Sequence, residues 1–543
     1  MTISLLIWIL VFLEAFLIGQ ALFLWIDRNH IPGEMPAWSF FIGLAVIAGI
    51  SSIFSLFSPT GLISNLAIAI LATCSFFYLR AIRPSIPWRK MPTSPIILGP
   101  LFLAFLFSMA MTLRQVSNPD TNLYHAQTIR WIESFPAIPG LANLHGRFGF
   151  NSAWFVLNSL YGFAFLGGRS FHVLNGLVFF IFTANVLAGW QKTSLPISIL
   201  GFGSIIAGVQ YLGSDLSSPG TDSPATLLAW SMMWLILLKQ GNLANRDWFA
   251  LAIISVFAVT IKMSSAFLMI SLPVAVLVLL RSGQKSVAGK LIMIALLVGL
   301  PVLIRNVITT GYLVYPIPSL DLFTVWWKVP LERVVEEQNG ILVWGRLPGE
   351  SISKAILLPI SDWLPRWFNN LTLARKALVF FGVALPFIGI PLHLWGRKKF
   401  TAGFLGLFWM GSLFWLLSSP DLRFGYSMLI PSIFLSAEPV LQAMIIKIGL
   451  NSGLPRVKAI FAIIYFCAIL GASNASANIL NEPFLQPDYD KVKVQSCQIG
   501  NSNIQCAKNY GSCSYHAFPC IPHQRLWVRM VGNVYADGFI GTK

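Results

Sequence analysis

The chain has 543 residues, of which 56% are hydrophobic and only 10% charged. Soluble domains run near ~25% charged, and the mean hydropathy of +0.72 excludes a disordered chain, a coiled coil and a soluble multidomain enzyme. Lys and Arg number 37 against 20 Asp and Glu, a net charge of +17. Much of that excess sits in short loops between apolar segments, so it reads as a topology signal and not as affinity for nucleic acid.

A helix needs roughly 20 apolar residues to cross the bilayer core. Such segments lie near 4–26, 38–57, 61–79, 95–113, 172–190, 195–213, 224–238, 247–261, 264–280, 290–304, 377–395, 401–418, 425–444 and 458–472. They predict an all-α polytopic membrane protein with roughly 14 transmembrane helices, several of them short. The first segment has no basic lead and no small-residue cleavage site, so it reads as a retained helix and not a signal peptide.

Basic clusters at Arg80, Arg83, Arg89 and Lys90, at Arg281, Lys285 and Lys290, at Arg397, Lys398 and Lys399, and at Lys447, Arg456 and Lys458 fall in alternate connections. The positive-inside rule assigns them to the cytoplasm and both termini to the other side. The expected organisation is N-terminal spans over 1–113, an outer loop over 114–171, central spans over 172–304, a large outer loop over 305–376, C-terminal spans over 377–472 and an extracytoplasmic tail over 473–543. One parity conflict follows: 151–166, 172–190 and 195–213 lie between two outer loops, where only an even number of crossings fits. The weakest, 151–166, is expected to be an interfacial or half-inserted helix.

Cys74 and Cys467 fall in apolar segments and read as packing residues. Cys497, Cys506, Cys513 and Cys520 share the tail, where an oxidising exterior favours disulfides in one of three pairings. Zinc is the rival, though no CxxC pair is present. P-loop, zinc-protease and nucleophile-elbow motifs are absent, as are internal repeats.

Polar residues in an apolar chain mark function, and five clusters converge on one expected face. NPDTNLYH places Asp120 directly after a span, and 122–134 reads as an amphipathic helix along the membrane. Asp120 is either an N-cap or a general base whose carboxyl is raised by an apolar wall. IPGLANLHGRFGFNSAW sets Asn143, His145, Arg147 and Asn151 among Gly140, Gly146 and Gly149. Arg147 offers a planar fork for phosphate, whereas His145 is structural or catalytic. SSPGTDSPA carries Asp222 at the start of a span, near Asp215. Arg305 precedes an aromatic loop with Tyr312, Tyr315, Trp326 and Trp327, which are interfacial anchors or sugar-stacking rings. SSPDLRFG puts Asp421 and Arg423 in one short turn, as a local ion pair or with Arg423 on an anionic headgroup. Lys262 either snorkels or joins Arg423. Glu14 lies mid-span and requires an internal partner.

These blocks, NPDTNLYH, NLHGRFGFNS, RN…GYLVYP…WKVP and DLRFG, resemble an uncharacterised family of bacterial polytopic membrane proteins, and more distantly the GT-C glycosyltransferases. The GT-C resemblance implies membrane-parallel helices in the first large outer loop, with Asp120 as base or metal ligand and Asp222 as second acid. It also sets Arg423 and Phe424 with Pro431 against that class's arginine–aromatic–proline turn. About four spans precede the acidic loop here, against one in that class. No tight acidic pair stands at Asp120, which leaves a divalent cation open.

The expected function is transfer of a sugar from a polyprenyl-phosphate donor at the outer face of a bacterial inner membrane. Asp120 and Asp222 would be catalytic, with Arg423, Arg305, Arg147 and Lys262 on the donor phosphate. His125, His145, Asn151, Tyr312 and Tyr315 would contact substrate. The partners are the lipid-linked sugar and membrane lipids, without nucleic acid. A lipid-linked oligosaccharide flippase or transporter would instead need charges deep in its spans and related halves. A polysaccharide polymerase or ligase would equally use a large outer loop such as 305–376.

Overall fold

A computed structural model describes residues 2–28, 30, 35–82, 95–190, 193–448, 486–500, 502–508, 512–523 and 527–541. The expected span at 458–472, together with Arg83, Arg89, Lys90, Arg456, Lys458 and Cys467, lies outside the described residues.

The helices are α1 Thr2–Ile26, α2 Pro36–Phe57, α3 Leu62–Ile82, α4 Pro95–Thr112, α5 Ala126–Ser134, α6 Ala153–Leu160, α7 Leu174–Trp190, α8 Leu195–Leu212, α9 Asp222–Lys239 and α10 Asn245–Ile261. They continue as α11 Ser271–Arg281, α12 Lys285–Thr310, α13 Leu331–Arg346, α14 Ile352–Ala355, α15 Ile360–Asn369, α16 Leu373–Ala384, α17 Pro386–Trp395, α18 Lys399–Leu417 and α19 Leu422–Ile448. Among the described residues, 9 helical segments are long and apolar enough to cross a bilayer: Thr2–Ile26, Pro36–Phe57, Leu62–Ile82, Leu195–Asp215, Met263–Arg281, Lys285–Thr310, Leu373–Trp395, Lys399–Leu417 and Leu422–Ile448. Exposed apolar side chains such as Phe57, Phe387 and Phe414 stud these segments, a surface suited to lipid and not to water. The protein is therefore a helical polytopic membrane protein. α9 and α10 are apolar on every side because other helices enclose them.

Small residues set the closest helix pair. A methyl group at Gly19 would run into the Ser39 backbone, and one at Gly43 into the Ala15 carbonyl. Only glycine lets α1 and α2 approach this closely, which gains dispersion contacts where no hydrophobic drive exists. Glu14 of α1 finds its partner in the Tyr161 hydroxyl, which donates at 2.8 Å.

The expected interfacial helix at 151–166 is corrected. Its helical part, α6, has 8 residues, all buried. At 1.5 Å per residue it is about 12 Å long, too short to cross. Trp154, Phe155 and Leu157 are enclosed by protein, so α6 packs inside the fold, whereas Phe165 and Leu166 at the far end of the segment are exposed. The helix expected at 122–134 begins as a π-helical turn over Thr121–His125 and continues as α5. It is sandwiched between α6 and the tail.

Among the described residues, the tail adds two small sheets to the helical bundle. There β1 Val494–Ile499 pairs antiparallel with β2 Ser502–Ala507, which pairs parallel with β3 Cys520–Ile521. A second sheet joins β4 Val528–Met530 to β5 Phe539–Gly541. The pairing is Cys497–Cys506 and Cys513–Cys520, each with Cα atoms 5.7 Å apart, within disulfide range. The tail docks on α5: Gln127 donates to the Ser514 and Ala517 carbonyls at 2.7 and 2.6 Å, and Trp131 packs on Phe518, Tyr535 and Phe539.

The bundle has two chemically different ends. Arg80, Lys239, Arg281, Lys285, Lys399 and Lys447 mark the helix termini at one end, where Lys290 also donates to the Trp25 carbonyl of α1. The starts of α9 and α19 and the ends of α4, α10 and α12 mark the other, the polar end. The start of α1, through the Trp8 indole on the Val173 carbonyl, and the tail, through Gln486 on His172, both belong to the polar end.

Candidate functional site

At the polar end, an alternating series of charges joins residues distant in sequence. The Asn118 side chain accepts the Asp120 backbone N–H at 2.9 Å, so Asn118 makes the turn and Asp120 makes no capping bond. That leaves the Asp120 carboxylate free to reach outward. Oδ1 takes Arg147 Nη1 at 2.9 Å, and Oδ2 takes Arg423 Nη1 at 3.2 Å. Arg423 also grips Asp421, with Nη2 3.0 Å and Nε 3.3 Å from Oδ2. Its Nη1 lies 4.0 Å from Asp222, which in turn pairs directly with Lys262. At the other end of the series Arg147 Nε is 3.8 Å from Glu337. Lys262 Nζ also lies 4.0 Å from the centre of the Phe424 ring, a cation–π contact.

Each element places its residue for a local reason. Arg147 sits on the 3₁₀ turn Gly146–Gly149, and a methyl group at Gly146 would collide with the Glu337 carboxylate. Asp421 precedes α19, and its side chain accepts the Arg423 N–H at 3.0 Å, closing the turn between α18 and α19. The Trp415 indole donates to the Asp421 carbonyl at 2.7 Å and braces that turn. Asp215 backs the cluster by accepting from Asn118 at 2.7 Å and Ser223 at 2.9 Å.

Electrostatics corrects one expectation. Burial pushes the Asp120 carboxyl up, but Coulombic attraction to His125, which is charged only at low pH, and to Arg147 and Arg423 outweighs it and holds Asp120 below its usual range. The expected raised carboxyl is thus replaced by one ionised throughout the neutral range. Burial, with Lys262, Arg147 and Arg423 nearby, pushes His125 down to about 3 against the pull of Asp120, leaving a neutral imidazole. The two guanidiniums are therefore the charges that act on Asp120 at neutral pH.

The fold brings Asp120, Arg147, Asp222, Lys262 and Arg423 together and sends other candidates elsewhere. Arg305 is buried and donates from Nη1 to the Ser55 carbonyl and hydroxyl at 3.0 and 2.9 Å, tying α12 to α2. Its Nη1 is thus committed to Ser55, and among the described residues no ion pair joins Arg305 to the charge series. Asn151 donates to Asn306 and Thr309 at 2.9 and 2.6 Å and holds the second loop against α12. The Tyr312 hydroxyl is spent on the Val329 carbonyl at 3.1 Å. His145 packs against Phe148 and His523 of the tail. These three are framework and not cluster members. His125 lies beside the series, 3.3 Å from the Thr121 hydroxyl. The Tyr315 hydroxyl comes close to Gly146 and so to the Arg147–Glu337 end. Glu337 was missed in the sequence because an acidic run in α13 reads as a solvated helix face. Among the described residues, no three His, Cys, Asp or Glu side chains converge as a metal site.

Residues 1–430 match a family model described as a domain of unknown function, DUF8201. The chain belongs to this family. The DUF8201 match spans every member of the charge series, from Asp120 to Arg423, and stops short of the cysteine-bearing tail. No curated protein matches the chain, and no solved structure does.

Proposed function

We propose that this DUF8201 protein is a membrane glycosyltransferase of the GT-C kind, moving a sugar from a polyprenyl-phosphate donor to an extracytoplasmic glycan or lipid acceptor. The observation that carries it is one carboxylate, Asp120, held between two guanidiniums from positions 27 and 303 residues away. An inverting transfer needs that set. Asp120 takes the proton of the acceptor hydroxyl, and the acceptor oxygen forms its bond to the anomeric carbon. The bond from that carbon to the phosphate oxygen breaks, and its electron pair leaves on the lipid phosphate. Arg423 and Arg147 stabilise this charge as it develops, with Lys262 behind them. Asp222 keeps Lys262 in place and is a positioning residue in this scheme.

The two-ended bundle supports the orientation. Its basic end suits the cytoplasm. The polar end, with the tail disulfides and both ends of the chain, then faces outward from a bacterial inner membrane, in keeping with an even count of crossings near 14. Carboxylates within spans are tied to the framework, Glu14 to Tyr161 and Glu438 to Lys398, which favours surface chemistry over transport.

The test uses membranes carrying wild type or Arg423→Gln, supplied with a radiolabelled polyprenyl-phosphate hexose, and measures release of free polyprenyl phosphate. The variant should insert normally and release product about 10²–10³ times more slowly, the scale for removing one transition-state charge donor. Equal release from both membranes rejects the assignment.

A further inference from the structure

All three side-chain nitrogens of Arg423 already contact a carboxylate. Asp421 lies along Nε and Nη2, within 3.0–3.4 Å, and Asp120 takes Nη1 at 3.2 Å. Arg147 is likewise set between Asp120 and Glu337. A carboxylate seated on a guanidinium fork presents two oxygens in a plane, the same edge that a phosphate presents to arginine. Across the series, Arg147, Lys262 and Arg423 face Asp120, Asp222, Asp421 and Glu337, so carboxylates outnumber cations. A site built only to attract a phosphate would carry the opposite balance. Here the cations are already paired, and by the chain's own side chains.

The identity of those partners suggests why. Asp421 is only two residues from Arg423, on the same braced turn, so it can leave the fork and return without any helix moving. Asp120 is bound through both oxygens and has no oxygen without a guanidinium while the arginines hold it. We propose that Asp421 and Asp120 are internal stand-ins for the donor phosphate: the phosphate enters by displacing Asp421 from the Arg423 fork, and the shift of the guanidiniums onto it releases Asp120 to accept the acceptor's proton. Donor binding is then an exchange of anions. The base becomes competent only once the donor is seated, which keeps the empty site from deprotonating water or a premature acceptor. This rests on the phosphate-donor reading above and adds the competing group and the order of events.

The exchange makes an unusual demand: removing a polar side chain from the site must tighten binding. Asp421→Asn removes the charge and keeps the turn, because Asn caps a helix as well as Asp does. The full chain in lipid nanodiscs is titrated with polyprenyl phosphate and, separately, with inorganic phosphate. Wild type should bind the lipid phosphate, Arg423→Gln at least tenfold more weakly, and Asp421→Asn about threefold to tenfold more tightly, the scale of one partly exposed charge-assisted contact. Asp120→Asn should tighten binding too, which keeps the test alive if the Asp421 variant fails to fold. If wild type binds and Arg423→Gln weakens binding, but neither Asn variant tightens it, the exchange is overturned and the phosphate reading stands. If wild type binds neither probe, or Arg423→Gln binds like wild type, the phosphate reading itself falls. Tightening for inorganic phosphate alone would remove the lipid from the donor while leaving the exchange intact.

Discussion

Replacing Asp120 by Asn separates chemistry from scaffolding. The substitution removes one negative charge and turns one acceptor oxygen into a donor facing a guanidinium. Neither arginine is stranded, since Arg147 keeps Glu337 and Arg423 keeps Asp421. The three side chains are 24%, 33% and 37% exposed, so solvent screens the lost pairs. A cost of about 1 kcal/mol in stability is expected from partly exposed ion pairs, small beside the ~5–15 kcal/mol typical of a folded domain. Loss of a positioned base costs about 10²–10⁴ in rate, or roughly 2.7–5.4 kcal/mol at 1.36 kcal/mol per tenfold. The effect on transfer should therefore exceed the effect on stability severalfold. Transfer from labelled lipid donor and thermal melting of the same detergent-purified samples measure both. Wild-type transfer by a normally inserted Asp120→Asn protein would refute the base assignment, and transfer falling only in step with folded protein would make Asp120 a scaffold residue. The pH behaviour has a defined sign. Because the folded carboxyl lies below its ordinary value, its stabilising contribution is present above the unfolded value, about 3.9, and is lost as pH falls through the folded one. The melting difference between wild type and variant should be flat from about pH 5 to 8 and shrink only below about pH 4.

Tail docking should weaken with rising pH. Burial pushes Glu133 up to about 7 despite hydrogen bonds from Ser170 and Tyr515, so its contribution is full below an unfolded value of about 4.3 and is lost as pH rises through about 7. Amide protection over 514–520, corrected for intrinsic exchange, should fall between about pH 5 and 8 in wild type and stay level in Glu133→Gln; matching profiles would reject the Glu133 link. Non-reducing peptide mapping should recover Cys497 linked to Cys506 and Cys513 linked to Cys520. With partners 9 and 7 positions apart in sequence, loop-closure entropy gives each bridge about 2.5 kcal/mol of tail stability, and crossed pairs would contradict the tail fold.

Much of the site was legible because charges are conspicuous in an apolar chain. Asp120, Asp222, Lys262 and Arg423 stand beside helix ends and Arg147 in a glycine-rich loop, where burying them unpaired would be costly. The same rule grouped Arg305 with them: it too lies near a helix end, but Ser55 supplies its acceptors from another helix. Glu337 shows the converse, since a carboxylate on a polar amphipathic helix carries no excess signal until a glycine turn brings Arg147 beneath it.

Hydropathy, a property of each segment alone, determined that the chain is a helical polytopic membrane protein. The sequence could not show that α6 is enclosed, that the tail forms sheets, or that one carboxylate is shared by two arginines. Those features depend on which segments become neighbours, and pairing energies across hundreds of residues leave no local pattern. The lowered Asp120 carboxyl is the clearest case: an apolar flank predicts a rise, and His125 together with two guanidiniums that tertiary packing brings in reverses it.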